Sequence, residues 1–187
     1  TFTDIWPTFF ARARDLFGSD GRVLFVVLDL EDDSARQGFL DRDFDLVIAS
    51  NVIHATADVG RTLARLRNLI APGGLLAMLE VTEAQHWFDL TVGLTEGWWA
   101  FTDTHLRPDY PTLRRAQWLD VLASSGYEAI ATLPQQPAQT GILSRASLFL
   151  ARTTHSPWLL FEDEGGVSAG LVARLRQGGQ QRERLRA

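Results

Sequence analysis

Short apolar runs alternate with amphipathic stretches along most of this chain, and few folds accept that order. Arg22 to Leu28 and Phe44 to Ala49 are almost unbroken in apolar character, the pattern of strands covered on both faces. Leu75 to Glu80 repeats it. Helical stretches lie between the runs. Trp6 to Phe17 gathers Phe9, Phe10, Ala13, Leu16 and Phe17 on one face, with Pro7 in its first turn and Gly18 just past its end. Asp58 is placed to cap a helix reaching Ile70, whose stripe is Val59, Leu63, Leu66 and Ile70. Ala71-Pro72-Gly73-Gly74 then breaks the helix and turns the chain. Such alternation predicts an α/β fold, a parallel sheet with helices on both faces.

The pattern changes further along. Trp87 to Phe101 reads as a helix rich in Trp, and Arg114 to Ser124 as a short helix ended by Gly126. Glu128 to Leu133 and Arg145 to Ala151 are expected to close the sheet as an antiparallel hairpin. Their polar connection, Pro134 to Leu143, is expected to be exposed. Beyond it, Trp158 to Phe161 reads as a strand, Gly165 to Gly170 as a glycine turn and Leu171 to Gln177 as a helix. This is one β-turn-α unit, the opening of another Rossmann-type fold. The chain thus divides into a domain over residues 1–152 and a linker with a β-turn-α segment over 153–187. Thr1 to Asp4 reads as the end of a strand with no initiator Met before it, so the 187 residues are expected to be a piece of a longer polypeptide.

Composition removes several function classes. A net charge of −5 gives no broad basic face for nucleic acid. All 18 basic side chains are Arg, a bias that points to a GC-rich coding sequence more than to chemistry. With no cysteine, disulfides and thiolate metal sites are excluded, and the chain suits the cytoplasm. No apolar run is long enough to span a membrane.

The residues that could carry chemistry lie where the strands end. Asp4 and Asp29 each close a predicted strand, and in open α/β sheets ligands bind beyond those carboxyl ends. A carboxylate there accepts hydrogen bonds from ribose hydroxyls or an exocyclic amine, or else caps a local turn. His54 follows the strand from Phe44 and sits between Ile53 and Ala55, either a general base or a satisfied structural histidine. Glu80 ends the next strand. Adjacent strand ends meet in space, so its carboxylate could accept the Nδ1 proton of His54 and orient the ring. Trp98 and Trp99 are core residues by spacing, with a mixed role as an apolar wall for an acyl chain. His86, His105 and His155 have no metal-ligand spacing and read as surface or structural; no metal site is expected.

These residues belong to longer strings. Thr1-Phe2-Thr3-Asp4-Ile5, the run Phe44 to Thr56 with its Asn51-Val52-Ile53-His54-Ala55-Thr56, Leu69 to Gly74, Leu90 to Trp99 and Gln117-Trp118 resemble the C-methyltransferase domain of modular polyketide synthases. The likeness covers roughly Thr1 to Ala151. The Asn-Val-Ile-His-Ala-Thr string followed by Glu96-Gly97-Trp98-Trp99 is specific to that family, whereas Pro-Gly-Gly occurs in many methyltransferases. The segment from Trp158 to Gln177 resembles the start of the ketoreductase structural half that follows the methyltransferase in such synthases.

The resemblance implies a Rossmann-like class I methyltransferase sheet. It also implies transfer of a methyl group from S-adenosylmethionine to the α-carbon of a β-ketoacyl chain held on an acyl carrier protein, among neighbouring synthase domains. In that scheme His54 takes the α-proton and Glu80 orients it. Asp4 holds the ribose hydroxyls, Asp29 and Leu30 contact the adenine, and Asn51 lines the methionine end. The family's first strand and glycine-rich loop precede the Thr-Phe-Thr-Asp string, so the sheet is expected to be incomplete and the isolated chain to lack cofactor binding and activity. The alternatives are a non-catalytic pseudo-methyltransferase scaffold, or a sheet whose empty central place is taken by the Trp158 strand.

Overall fold

The computed structural model describes residues 1–135 and 145–154, together with Gly170 and Arg174. The chain forms two units, Thr1–Thr153 and Thr154–Ala187. In the second, Gly170 and Arg174 are helical and exposed. The Trp158 strand, the glycine turn at Gly165 and most of the polar connection from Pro134 to Leu143 lie outside the described residues.

The first unit holds six strands: β1 Phe2–Asp4, β2 Phe25–Val27, β3 Phe44–Ser50, β4 Ile70–Val81, β5 Tyr127–Leu133 and β6 Ala146–Thr153. Its α-helices are α1 Phe10–Phe17, α2 Val59–Leu69, α3 His86–Asp89 and α4 Arg115–Ser124. β1 and β2 pair in parallel as a two-stranded sheet, and the other four strands form a second sheet in the order β3-β4-β6-β5. β3 and β4 are parallel, while β6 runs antiparallel to both β4 and β5. The α/β class and the antiparallel finish therefore follow the sequence. The closing hairpin does too, with β6 lodged between β4 and β5.

α2 forms as the pattern predicts. The Asp58 carboxylate accepts the Arg61 N–H at 2.9 Å, satisfying one of the donors that a helix start leaves open. Val59, Leu63, Leu66 and Ile70 are all buried. They meet Leu76 and Met78 of β4, with Trp118 and Leu122 of α4 and Phe149 of β6 completing the core. Removing this many large apolar side chains from water is the main source of the unit's stability. Tyr127 ties the layers together, its hydroxyl donating to the Leu63 carbonyl at 3.0 Å.

Four readings need correction. The Pro-Gly-Gly segment lies within β4 as an irregularity, because Phe44 pairs with Ile70 whereas Leu46 pairs with Leu75. Gly74 is needed there: a Cβ would stand 2.6 Å from the Ile70 Cγ2 and 3.0 Å from the Asp45 carbonyl. The run Trp87 to Phe101 is not one helix but α3 followed by 3₁₀ turns at Val92–Leu94 and Glu96–Trp99. Thr91 and Thr95 turn their hydroxyls back onto the carbonyls of Trp87 and Val92, at 2.7 and 2.6 Å, and Gly93 and Gly97 weaken the helix between. The run Trp6 to Phe17 likewise opens as a 3₁₀ turn, Pro7–Phe9, before α1. Finally, β3 is not covered on both faces: Leu46 and Ile48 are exposed, since the described residues build a core layer against one face of that strand.

Candidate active site

β4 explains how a carboxylate comes to lie inside. Its side chains alternate, and Leu76, Met78 and Glu80 point to the buried face in turn. Glu80 is 0% exposed, in a place where a lone charge would be very costly. It is fully engaged instead. One oxygen, Oε1, accepts the N–H groups of Ile53 and Val52 at 2.9 and 3.2 Å. The other, Oε2, lies 2.6 Å from His54 Nδ1. The sequence-level pairing of His54 with Glu80 is therefore present as a direct contact.

His54 sits in a buried 3₁₀ turn, Ile53–Ala55, immediately after β3. The first of the two residues between strand and turn is Asn51, in the left-handed region at φ 51°, a conformation Asn tolerates better than other non-glycine residues. Its backbone N–H donates to the Leu79 carbonyl at 2.7 Å and its side-chain oxygen accepts from Val81 N at 3.2 Å. Asn51 thus locks the end of β3 to the end of β4 and aims the turn.

A second device fixes the turn from behind, and the sequence reading missed it. Arg107 is 1% exposed, and all its donors are spent. Nε donates to Asp103 at 2.6 Å. Nη1 donates to the carbonyls of His54 and Pro111, and Nη2 to those of Thr56 and Ala57. The Phe101 ring lies beneath the guanidinium at 5.0 Å. Asp103 also accepts the Val59 N–H at 3.0 Å, so this buried ion pair holds both the His54 turn and the start of α2. The signal available in the sequence was an Asp and an Arg four apart, beside Pro108 and Pro111.

His54 opens onto a cavity of about 640 Å³. Leu79, Val81, Trp87, Phe88, Val92 and Trp98 give it an apolar wall, and Asn51, His54, Gln85 and Arg145 supply its polar groups. The Trp98 ring packs edge-on to the imidazole at 5.6 Å. With Nδ1 committed to Glu80, Nε2 is the ring nitrogen left for the cavity. Behind this wall Tyr110 donates to Asp89 at 2.9 Å; burial first, and then that hydrogen bond, raise its phenol above the usual tyrosine range. Trp98 lines the cavity as the mixed reading allowed, whereas Trp99 does not. His86 and His105 are exposed. His155 lies outside the described residues. Among the described residues no group of three or more His, Cys, Asp or Glu could hold a metal ion, and no helix is long and apolar enough to cross a membrane.

Asp4, Asp29 and Leu30 do not line this cavity. They stand at the carboxyl ends of β1 and β2, which pair so that Asp4 faces Val27. Each carboxylate spends one oxygen on its own turn: Asp4 accepts Trp6 N–H at 2.9 Å, and Asp29 accepts Glu31 N–H at 2.7 Å. The Gln37 amide clamps the Asp29 backbone from both sides, at 2.8 and 2.9 Å. The Leu30 carbonyl accepts from Arg65, and the Glu31 carboxylate takes the Ala57 N–H beside the His54 turn. The turn-cap reading of both aspartates is thus present, each through one carboxylate oxygen.

A family model described as a methyltransferase domain matches residues 1–76. A highly reducing polyketide synthase, ltbA, of Aspergillus luteorubrus is 37% identical over 162 residues, 81% of this chain and 5% of that protein. Among solved structures, the CurJ carbon methyltransferase superposes with a TM-score of 0.77 at 42% identity, covering 82% of this chain and 41% of that one. The trans-methyltransferase CalH, in complex with SAH, gives 0.72 at 35% identity, covering 82% and 42%. The chain therefore spans about 5% of that synthase's length and about two-fifths of each of those solved methyltransferase chains.

Proposed function

Because the Thr1–Thr153 unit belongs to the polyketide synthase C-methyltransferase domains, we propose that its cavity methylates the α-carbon of a β-ketoacyl thioester carried on an acyl carrier protein. The observation that supports this most is the buried His54–Glu80 contact opening onto an apolar cavity. An α-carbon flanked by two carbonyls is acidic enough for an imidazole to deprotonate. Glu80 presents Oε2 to Nδ1, so the neutral ring carries its proton there and offers the Nε2 lone pair to the substrate. After proton transfer the same carboxylate stabilises the imidazolium. The aromatic wall of Trp87, Phe88 and Trp98 suits an acyl chain.

The donor set suits S-adenosylmethionine, because the carboxylates of Asp4 and Asp29 can accept from ribose hydroxyls and the adenine amine. Asp4 would take the ribose, Asp29 with Leu30 the adenine, and Asn51 the methionine end. When bound, that cofactor supplies an electrophilic methyl carbon. Residues 153–187 are read as the linker and opening of a ketoreductase-like segment of the same synthase.

The test is methyl transfer from labelled S-adenosylmethionine to a β-ketoacyl thioester by the polypeptide that naturally carries these residues. A product one methyl heavier at the α-carbon supports the reading. An α,α-dimethyl substrate, which has no α-proton, must stay unlabelled; its methylation would place the reaction elsewhere on the acyl chain.

A further inference from the structure

Among the described residues, the cavity lining includes an arginine that the proposed proton transfer does not use. Arg145 lies at the start of β6, its carbonyl accepting the Thr82 N–H at 2.8 Å, just beyond the paired residues Val81 and Ala146. Glu80 pairs with Ser147, two residues further along the same ladder. Arg145 therefore stands at the strand end that also carries the His54 partner. Its Nη1 donates to the Gln85 side-chain oxygen at 2.6 Å. Gln85 is 4% exposed and is anchored by its own amide, which donates to the Glu83 carbonyl at 3.1 Å. The guanidinium is thus steered by a neutral partner. Among the described residues no carboxylate lies within ion-pair distance of it, and its other donors have no partner.

A cation held by a neutral amide at the edge of a largely apolar cavity keeps its full charge for a ligand. Arg145 is itself exposed to solvent, so it stands at the rim of the cavity, and the geometry of its donors matters more there than the strength of its charge. The charge in the proposed reaction appears on oxygen: when His54 Nε2 takes the α-proton, the C–H electron pair spreads onto the two carbonyl oxygens of the β-ketoacyl thioester. Those oxygens lie on one side of the enolate when the dicarbonyl is folded. A guanidinium offers two parallel N–H groups to such a pair, which a point-like ammonium cannot do. We propose that Arg145, steered by Gln85, is a catalytic residue that binds the two oxygens of the β-ketoacyl enolate. This rests on the proposed function and assigns the electrophilic half of its site.

The experiment is exchange of the α-proton for deuterium in a β-ketoacyl N-acetylcysteamine thioester, without S-adenosylmethionine, by the same natural polypeptide. It reads enolate formation apart from methyl transfer. Arg145→Gln is expected to slow exchange about 10²-fold, in line with loss of one oxyanion donor elsewhere. Gln85→Glu keeps the shape of the site but pairs the guanidinium with a carboxylate, and is expected to slow exchange as well. The proposal requires both losses, and unchanged exchange in either folded variant overturns it. A loss seen only with a carrier-bound substrate also overturns it, because Arg145 would then be holding the carrier's phosphate. Absence of exchange in the unaltered protein removes the base assigned to His54, and the enolate with it; unchanged exchange in the variants removes the Arg145 assignment alone.

Discussion

Glu80 Oε2 lies 2.6 Å from His54 Nδ1, while the other oxygen of that carboxylate holds the backbone of Val52 and Ile53. One buried side chain thereby fixes both the position of the turn and the orientation of the ring it carries. Glu80→Gln separates these roles. The amide oxygen can still accept the two backbone N–H groups, but its NH₂ now faces Nδ1 and favours the opposite tautomer. Methyl transfer is expected to fall by up to about 10⁴-fold, the loss seen when the orienting carboxylate of a catalytic triad is neutralised. Nitrogen NMR of the labelled histidine checks the cause: the proton of neutral His54 should move from Nδ1 to Nε2.

Asp103 and Arg107 hold the same turn from the opposite side, and both are almost fully buried. Asp103→Ala leaves a buried guanidinium without its carboxylate and frees the Val59 N–H. A loss of about 3–5 kcal/mol is expected in urea unfolding. Replacing both residues by apolar ones, Asp103→Leu with Arg107→Met, should recover part of that loss. It should not recover methyl transfer, because the carbonyls of His54, Thr56 and Ala57 lose the donors that set the turn.

Alkaline pH should weaken the first unit through Tyr127. Burial raises its phenol above the usual tyrosine value of about 10. The folded chain therefore keeps a proton that the unfolded chain releases above that pH. The stabilising contribution is complete below the unfolded value and is lost as pH rises through the folded one. Tyr127→Phe should flatten the alkaline fall in melting temperature. At neutral pH it should cost about 1 kcal/mol for the lost hydrogen bond to Leu63.

The parts legible in the sequence are those governed by local pattern. Asp58 and the stripe through Leu63 and Leu66 specify α2, and the placing of His54 and Glu80 at neighbouring strand ends anticipates their contact. What was not legible depends on contacts between distant residues. Arg107 reaches back more than fifty positions to the His54 carbonyl, and nothing local marks it as buried. Gln85 and Arg145 meet across sixty positions, beside a polar connection that reads as loop. The spacing of Trp87, Phe88 and Trp98 imitates a helix, and the turned-back hydroxyls of Thr91 and Thr95, together with Gly93 and Gly97, show why it breaks. Asp4 and Asp29 were placed correctly at strand ends, and the structure brings them together with each other and not with the His54 cavity.

The base assigned to the cavity is tested most directly by His54→Ala, assayed for methyl transfer in the polypeptide that naturally carries it. The variant is expected to fold, because the backbone N–H groups of Val52 and Ile53 still bind Glu80. It is expected to yield no α-methylated product. Methylation by the folded variant at the unaltered rate would contradict the account, leaving the contact between His54 and Glu80 as scaffold alone.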